Sequence, residues 1–253
     1  MKSKKFENLL HFILNYIESR SAVLQGKGWG VSTTNLEVKT AAELLETPPR
    51  ICIDVGGNEG HYTEALLAKF REAQIIVFEP SKKNAGILRD KFGSDPRVVI
   101  EESALSNKDN LSTLYSNGDG SGLASLTKRR LDHHGISFEH SEEVMCQRFE
   151  NYWSGKLMSS EIDLLKLDIE GHELDALIGM GDAINRVKLI QFEVGGCNID
   201  TRTYFQDFWY FFQSHGFEIF RLGPLGARRV DQYSESLEYF STTNFYARRL
   251  PRS

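Results

Sequence analysis

The sequence predicts an α/β protein built on an open, mostly parallel sheet of the nucleotide-binding kind. Two observations carry this. Residues Ile51-Cys52-Ile53-Asp54-Val55 have the apolar, β-branched composition of a buried strand, and a glycine-rich turn and then a helical apolar pattern follow them. Further along, three more apolar runs end in acids, so that Asp54, Glu79, Asp168 and Glu193 all fall at strand ends. In a parallel sheet those ends share one rim, and ligands bind there.

Before the first strand, residues 4–18 read as an amphipathic helix with Phe6, Leu10, Ile13 and Ile17 on one face and Leu9 and Leu14 widening it. We expect it to pack on the domain; capping the ligand site and joining a second subunit are the alternatives. Gly26, Gly28 and Gly30 around Trp29, followed by Ser, Thr and Asn, mark residues 21–35 as a loop. A short helix is expected over 37–46, and Pro48-Pro49 ends it.

The turn after the first strand reads Asp54-x-Gly56-x-x-x-Gly60. Glycine adopts positive φ without strain and lets a ligand approach the backbone. An acid beside the turn disfavours a pyrophosphate and suits the amino group and sulfonium of S-adenosylmethionine (SAM). The helix that follows, with Tyr62, Leu66 and Phe70, offers free N–H groups at its first turn. A bare structural turn is the alternative.

Gln74–Phe78 is the second strand. Glu79, 19 residues beyond Gly60, stands near the position from which an acid binds ribose hydroxyls. Ser81 is placed to cap a helix that runs to Phe92 and stops at Gly93. Val98-Val99-Ile100 is the third strand, with Ser103 and Ala104 where an adenine edge would lie. Residues 106–149 read as a lid or substrate insertion, in which Leu111–Tyr115 and Val144–Phe149 alternate like paired strands. His133 and His134 lack companions at a metal spacing.

Asp163–Asp168 forms the next strand, and period-two alternation puts Lys166 and Asp168 on one face. Glu170 and His172 lie in the adjoining turn. Leu189–Val194 follows. The aromatic stripe of 203–215 is expected to face the core, and Phe217–Leu222 and Thr243–Arg248 close the sheet.

The totals narrow the function. Thirty Lys and Arg against 35 Asp and Glu leave a net charge of −5, which gives no general case for nucleic acid or anionic lipid. No apolar run nears the roughly 18 residues of a spanning helix, and no signal-peptide pattern follows Lys2, Lys4 and Lys5. Cys52, Cys146 and Cys197 show neither zinc spacing nor a disulfide framework, so a cytoplasmic setting is expected.

Taken together, Asp54-Val55-Gly56-Gly57-Asn58-Glu59-Gly60, Phe78-Glu79-Pro80, Ala104-Leu105-Ser106 and Leu165–Glu173 resemble the FkbM family of SAM-dependent methyltransferases. The match spans about 50 to 249 and leaves residues 1–49 as an N-terminal helical extension. The resemblance implies a class I methyltransferase fold, with a seven-stranded, mostly parallel sheet, an antiparallel last strand and helices on both faces. It places Asp54, Gly56 and Gly60 against the methionine half of SAM, Glu79 on the ribose, and Ser103 and Ala104 at the adenine, with Asn58 a further cofactor-binding candidate. Family members mostly methylate hydroxyls on sugars and natural products; amide and other acceptors occur. Asp168, Glu170 and His172 are the candidates for accepting the acceptor's proton. Asp168 with Glu193 holding a divalent ion is an alternative. Two rival functions stand beside methyl transfer: an NAD-dependent oxidoreductase, which wants a glycine where Asn58 stands, and a non-catalytic SAM-binding scaffold. The acceptor and the oligomeric state are not legible.

Overall fold

The computed structural model describes residues 2–30 and 33–251. Its elements run α1 (Lys2–Leu24), α2 (Thr34–Leu45), β1 (Ile51–Val55), α3 (His61–Lys69), β2 (Gln74–Phe78), α4 (Lys82–Phe92), β3 (Val98–Glu101), β4 (Ala104–Leu105), β5 (Asn110–Ser116), β6 (His140–Gln147), α5 (Phe149–Lys156), β7 (Ile162–Leu167), α6 (Glu173–Gly179), β8 (Val187–Val194), α7 (Cys197–Thr201), α8 (Phe205–Ser214), β9 (Phe217–Gly223), β10 (Gly226–Val230) and β11 (Thr243–Arg249).

The main sheet has the order β10-β9-β11-β8-β7-β1-β2-β3. The run from β8 to β3 is parallel, while β11 is antiparallel to both β8 and β9. This is the class I methyltransferase arrangement, with an eighth strand where seven are expected: β10 folds back on β9 as a hairpin. Gly226, at φ 99°, begins the returning strand, in which Arg228-Arg229 interrupts any apolar alternation.

Strand alternation divides the core. Ile53, Leu165, Ile190 and Phe245 face Phe149, Leu177, Phe205, Phe208 and Phe212 on α5, α6 and α8. Cys52, Ile75, Val77 and Leu164 face Val38, Ala41, Leu66 and Leu88 on α2, α3 and α4. The aromatic stripe is core, as the sequence indicates: Phe205, Phe208 and Phe212 are wholly buried.

The insertion forms its own small sheet, β4-β6-β5, in which β5 and β6 pair antiparallel as expected. Its second strand ends at Gln147, and Phe149 instead opens α5, because its ring packs edge-on against Phe78. The loop expected over 21–35 is shorter, since α1 runs on to Leu24.

One expectation is overturned. α1 does not pack along the domain: Phe6, Leu10, Ile13 and Ile17 are 44–67% exposed. Phe12 and Tyr16 add apolar surface beyond the stripe, so no single neighbouring face satisfies the helix. It is anchored at its C-terminal end, where Ala22 is buried and Gly26 lies against the Leu222 carbonyl. No helix among the described residues is long and apolar enough to cross a membrane.

Candidate active site

The strand order reverses between β1 and β7, and the crevice at that switch point is where open α/β sheets bind ligands. Two hollows meet there. The first encloses about 580 Å³ including its mouth and is lined by Gly56, Asn58, Glu79, Asn84, Ser103, Ala104, Asp168, Glu170 and His172. Residues Leu114, Ser121, Gly122 and Ser125 of the insertion roof it. The second, about 610 Å³, is polar and is lined by Glu37, Glu59, His61, Tyr62, Lys166, Asp168, Glu193 and Asn244. Gly56, Asn58 and Asp168 border both.

The glycine turn is built for close approach. At Gly56, with φ 83°, a Cβ would stand 2.0 Å from the Asp168 carbonyl oxygen, so only glycine lets β1 and β7 meet there. Gly60, φ 85°, lets the start of α3 sit on Phe92 and Leu88 of α4. Gly60 therefore lies behind the hollow rather than on its wall. Asn58 also has positive φ, 46°, and its N–H donates to Glu79 Oε2 at 2.7 Å. The Ser81 N–H donates to Glu79 Oε1 at 2.9 Å, so the β2 acid clamps the glycine turn to the start of α4. Ser81 contributes this N–H and no side-chain cap. Asn84 donates to Asn58 Oδ1 and keeps a buried Oδ1 with no hydrogen-bond partner among the described residues.

Asp54 lies beneath the turn. It is fully buried, accepts from Thr63 Oγ1 at 2.7 Å and stands 3.5 Å from Lys166 Nζ. Lys166 also reaches Asp168 Oδ2 at 3.3 Å and lies 5.0 Å from the Tyr62 ring centroid. Burial alone lowers the Lys166 pKa, but the charges of Asp168, Asp54 and Glu37 outweigh it and hold the ammonium protonated. Complete burial pushes Asp54 up, with Lys166 and Thr63 pulling it back.

The three proton-acceptor candidates are brought to one wall but differ in freedom. Glu170 is ion-paired with Arg129, which also reaches Asp200 at 3.4 Å. His172 Nδ1 lies 3.2 Å from Asp175 and Nε2 3.0 Å from Thr127. Asp168 is the most open, its side chain 42% exposed, with Lys166 as its ion-pair partner. Arg129 and Thr127 belong to the insertion, so the segment that roofs the first hollow also holds Glu170 and His172. Glu193 borders the polar hollow, and burial with the neighbouring Asp168 and Glu170 charges raises its pKa well above the carboxylate range.

Sequence reasoning missed Asn84, Arg129 and Glu37. For Glu37 a signal existed: an acid one helical turn before Ala41, on the apolar face of α2.

Burial raises Glu79 to about 7, Glu173 to about 7 and Glu170 to about 8. Each acid thus holds its proton longer folded than unfolded, and the native state binds more protons from about pH 4.5 to 8. Their contribution to stability is complete below the unfolded value and is lost as pH rises through the folded one. Urea unfolding at pH 5.5 and pH 8 is expected to give the lower unfolding free energy at pH 8; a higher one there contradicts the assignment.

The hollow fits a nucleoside cofactor on its own features: a glycine cradle that a Cβ would fill, a buried carboxylate at the β2 end and the orphan Asn84 oxygen. The family match agrees. A family model described as a methyltransferase FkbM domain matches residues 54–219. The 2-O-methyltransferase NoeI of Sinorhizobium fredii (strain NBRC 101917 / NGR234) is 28% identical over 171 residues, 64% of this chain and 70% of that protein. Methyltransferase 1 of Beauveria bassiana (strain ARSEF 2860) is 23% identical over 144 residues, 51% of this chain and 58% of its own length. The solved FkbM methyltransferase of Methylobacillus flagellatus KT is 15% identical with a TM-score of 0.48, covering 79% of this chain and 43% of that one. The chain thus spans less than two thirds of the last two proteins.

Proposed function

Because the chain belongs to the FkbM methyltransferase family and is a SAM-dependent methyltransferase, we propose that it transfers the methyl group to a hydroxyl on a sugar, glycan precursor or polar natural product. Its family sets aside the oxidoreductase alternative. One observation carries the proposal: the hollow that meets the cofactor crevice at Asp168 is walled by the carboxylates of Glu37, Glu59 and Glu193 and the amide of Asn244. Hydroxyls both donate and accept hydrogen bonds, and a carboxyl offers an acceptor oxygen whether or not it holds a proton. Such a wall, with Lys166 and His61 beside it, suits a polyol. The name of NoeI, a 2-O-methyltransferase, points the same way.

In this reading Glu79 accepts from the ribose hydroxyls, Asn84 adds a second acceptor beside it, and Ser103 and Ala104 flank the adenine. Gly56, Asn58 and the first turn of α3 face the methionine half. Asp54 acts from below, by fixing Lys166. Bound SAM supplies an electrophilic methyl on a sulfonium. Asp168 aligns the acceptor hydroxyl with it and takes up the proton, and orientation supplies much of the rate. Arg129 and Thr127 hold Glu170 and His172 as the adjoining wall.

Incubation with methyl-labelled SAM and a panel of hydroxyl, amine and thiol acceptors tests this. Label in a base-stable ether is expected. Label found only on nitrogen or sulfur refutes hydroxyl transfer.

Replacing Glu79 by alanine removes a charged acceptor, which typically costs about 1.5–3 kcal/mol. SAM affinity is expected to fall about 10- to 100-fold while unfolding stays cooperative. Unchanged affinity in calorimetry would make Glu79 a brace of the turn alone.

A further inference from the structure

We propose that the segment ahead of the matched domain forms a working wall of the acceptor hollow, and that Glu37 of α2 is the residue there that sets acceptor specificity. This rests on the reading that the polar hollow takes the acceptor. Glu37 lies outside residues 54–219, on a helix ahead of that family match. Even so, it borders the hollow together with Asp168, Glu193 and Asn244.

Its placement is fixed from three sides. Thr33 Oγ1 donates to Oε1 at 2.5 Å from the start of α2. Gln191 Nε2, on β8, donates to Oε2 at 2.7 Å. Asn244 Nδ2, on β11, donates to Oε1 at 3.2 Å. The Tyr246 hydroxyl holds the Glu37 backbone carbonyl at 2.8 Å. Gln191 is itself oriented by Tyr62, whose hydroxyl donates to Oε1 at 2.7 Å.

A side chain that only plugs a core does not need an ionisable group. A carboxyl that gathers amide donors from two neighbouring strands fixes which way those amides point. With its nitrogen on Glu37, Asn244 stands on the wall of the hollow beside Glu193, its partner across the β8–β11 ladder. At this end of the hollow the acceptor therefore meets the carboxyls of Glu37 and Glu193 beside Asn244, with Lys166 and His61 further round the wall, a mixture that suits a hydroxyl, which both donates and accepts. Burial raises the Glu37 pKa, against the pull of Thr33 and Gln191.

The test uses the full chain and Glu37→Gln, which keeps the shape and removes one acceptor oxygen. The readouts are melting temperature, affinity for S-adenosylhomocysteine (SAH), and transfer from labelled SAM to methyl hexosides, glucosamine and a thiol. SAH affinity within twofold of wild type is expected, because Glu37 does not border the first hollow. For the hydroxyl acceptor that wild type uses, KM is expected to rise tenfold or more, with a smaller fall in kcat. A lowered melting temperature with unchanged KM overturns the proposal and makes Glu37 structural.

Should wild type methylate only the amine or the thiol, the hydroxyl reading fails. The Glu37 effect is then read on that acceptor. Should it methylate none, sinefungin decides. This analogue carries an amine where SAM carries its methyl. The preference for sinefungin over SAH is expected to drop threefold or more in Glu37→Gln, and an unchanged preference overturns the proposal. Asn244→Ala, which alters the same wall from β11, is expected to reproduce the KM rise.

Discussion

Asp168→Asn is expected to fold, to bind SAM with near-normal affinity, and to lose methyl transfer by about a hundredfold or more, the scale of a lost general base. Asp168 borders both hollows, is the most open of the wall's three candidate groups, and has Lys166 as its ion-pair partner. Glu170 and His172 are each engaged by the insertion. The competing account makes the Lys166–Asp168 contact a strand-end brace. The geometry limits that account, because Lys166 keeps Asp54 at 3.5 Å when Asp168 is neutralised. Melting temperature and turnover on one preparation separate the two. A destabilised variant with near-normal turnover would remove Asp168 from the chemistry.

The largest loss of stability is expected at Lys166. Lys166→Met keeps the stem and deletes the ammonium. Asp54, wholly buried, is then left with Thr63 as its hydrogen-bond donor. Breaking a buried pair by removing one partner costs about 3–5 kcal/mol, because the other charge stays uncompensated. The loss should shrink as pH falls, since a protonated Asp54 needs no counter-charge. Adding Asp54→Asn should recover part of it. Chemical denaturation of the two variants measures both effects. A Lys166→Met protein as stable as wild type would show that the ion pair does not hold β1 to β7.

The parts of this molecule that were legible in its sequence are those where one local rule dominates. Buried parallel strands read as apolar runs, and Gly56 and Gly60 mark a turn that tolerates no Cβ. The rim acids follow from strand ends alone, and four of them do converge on β2, β1, β7 and β8, which are neighbours in the sheet. Depth was not legible. Asp54 and Asp168 look alike in sequence, yet one is sealed under the turn and the other opens on both hollows. Strand periodicity gives a face and not a distance from solvent. Contacts made across long separations were equally hidden. Arg129 meets Glu170 and Asp200, and Glu37 meets Gln191 and Asn244, through no local pattern. The stripe on α1 says only that the helix has an apolar face and not what covers it.

The central claim is that the transferable methyl faces Asp168 where the two hollows join. Calorimetric affinities of SAH and sinefungin for wild type and Asp168→Asn test it most directly, because the two ligands differ at the methyl position. Wild type is expected to prefer sinefungin, whose amine meets the carboxylate. In Asp168→Asn that preference should fall tenfold or more while SAH affinity changes less than twofold. An equal preference in both proteins, with SAH binding intact, would place the methyl group elsewhere and contradict the account.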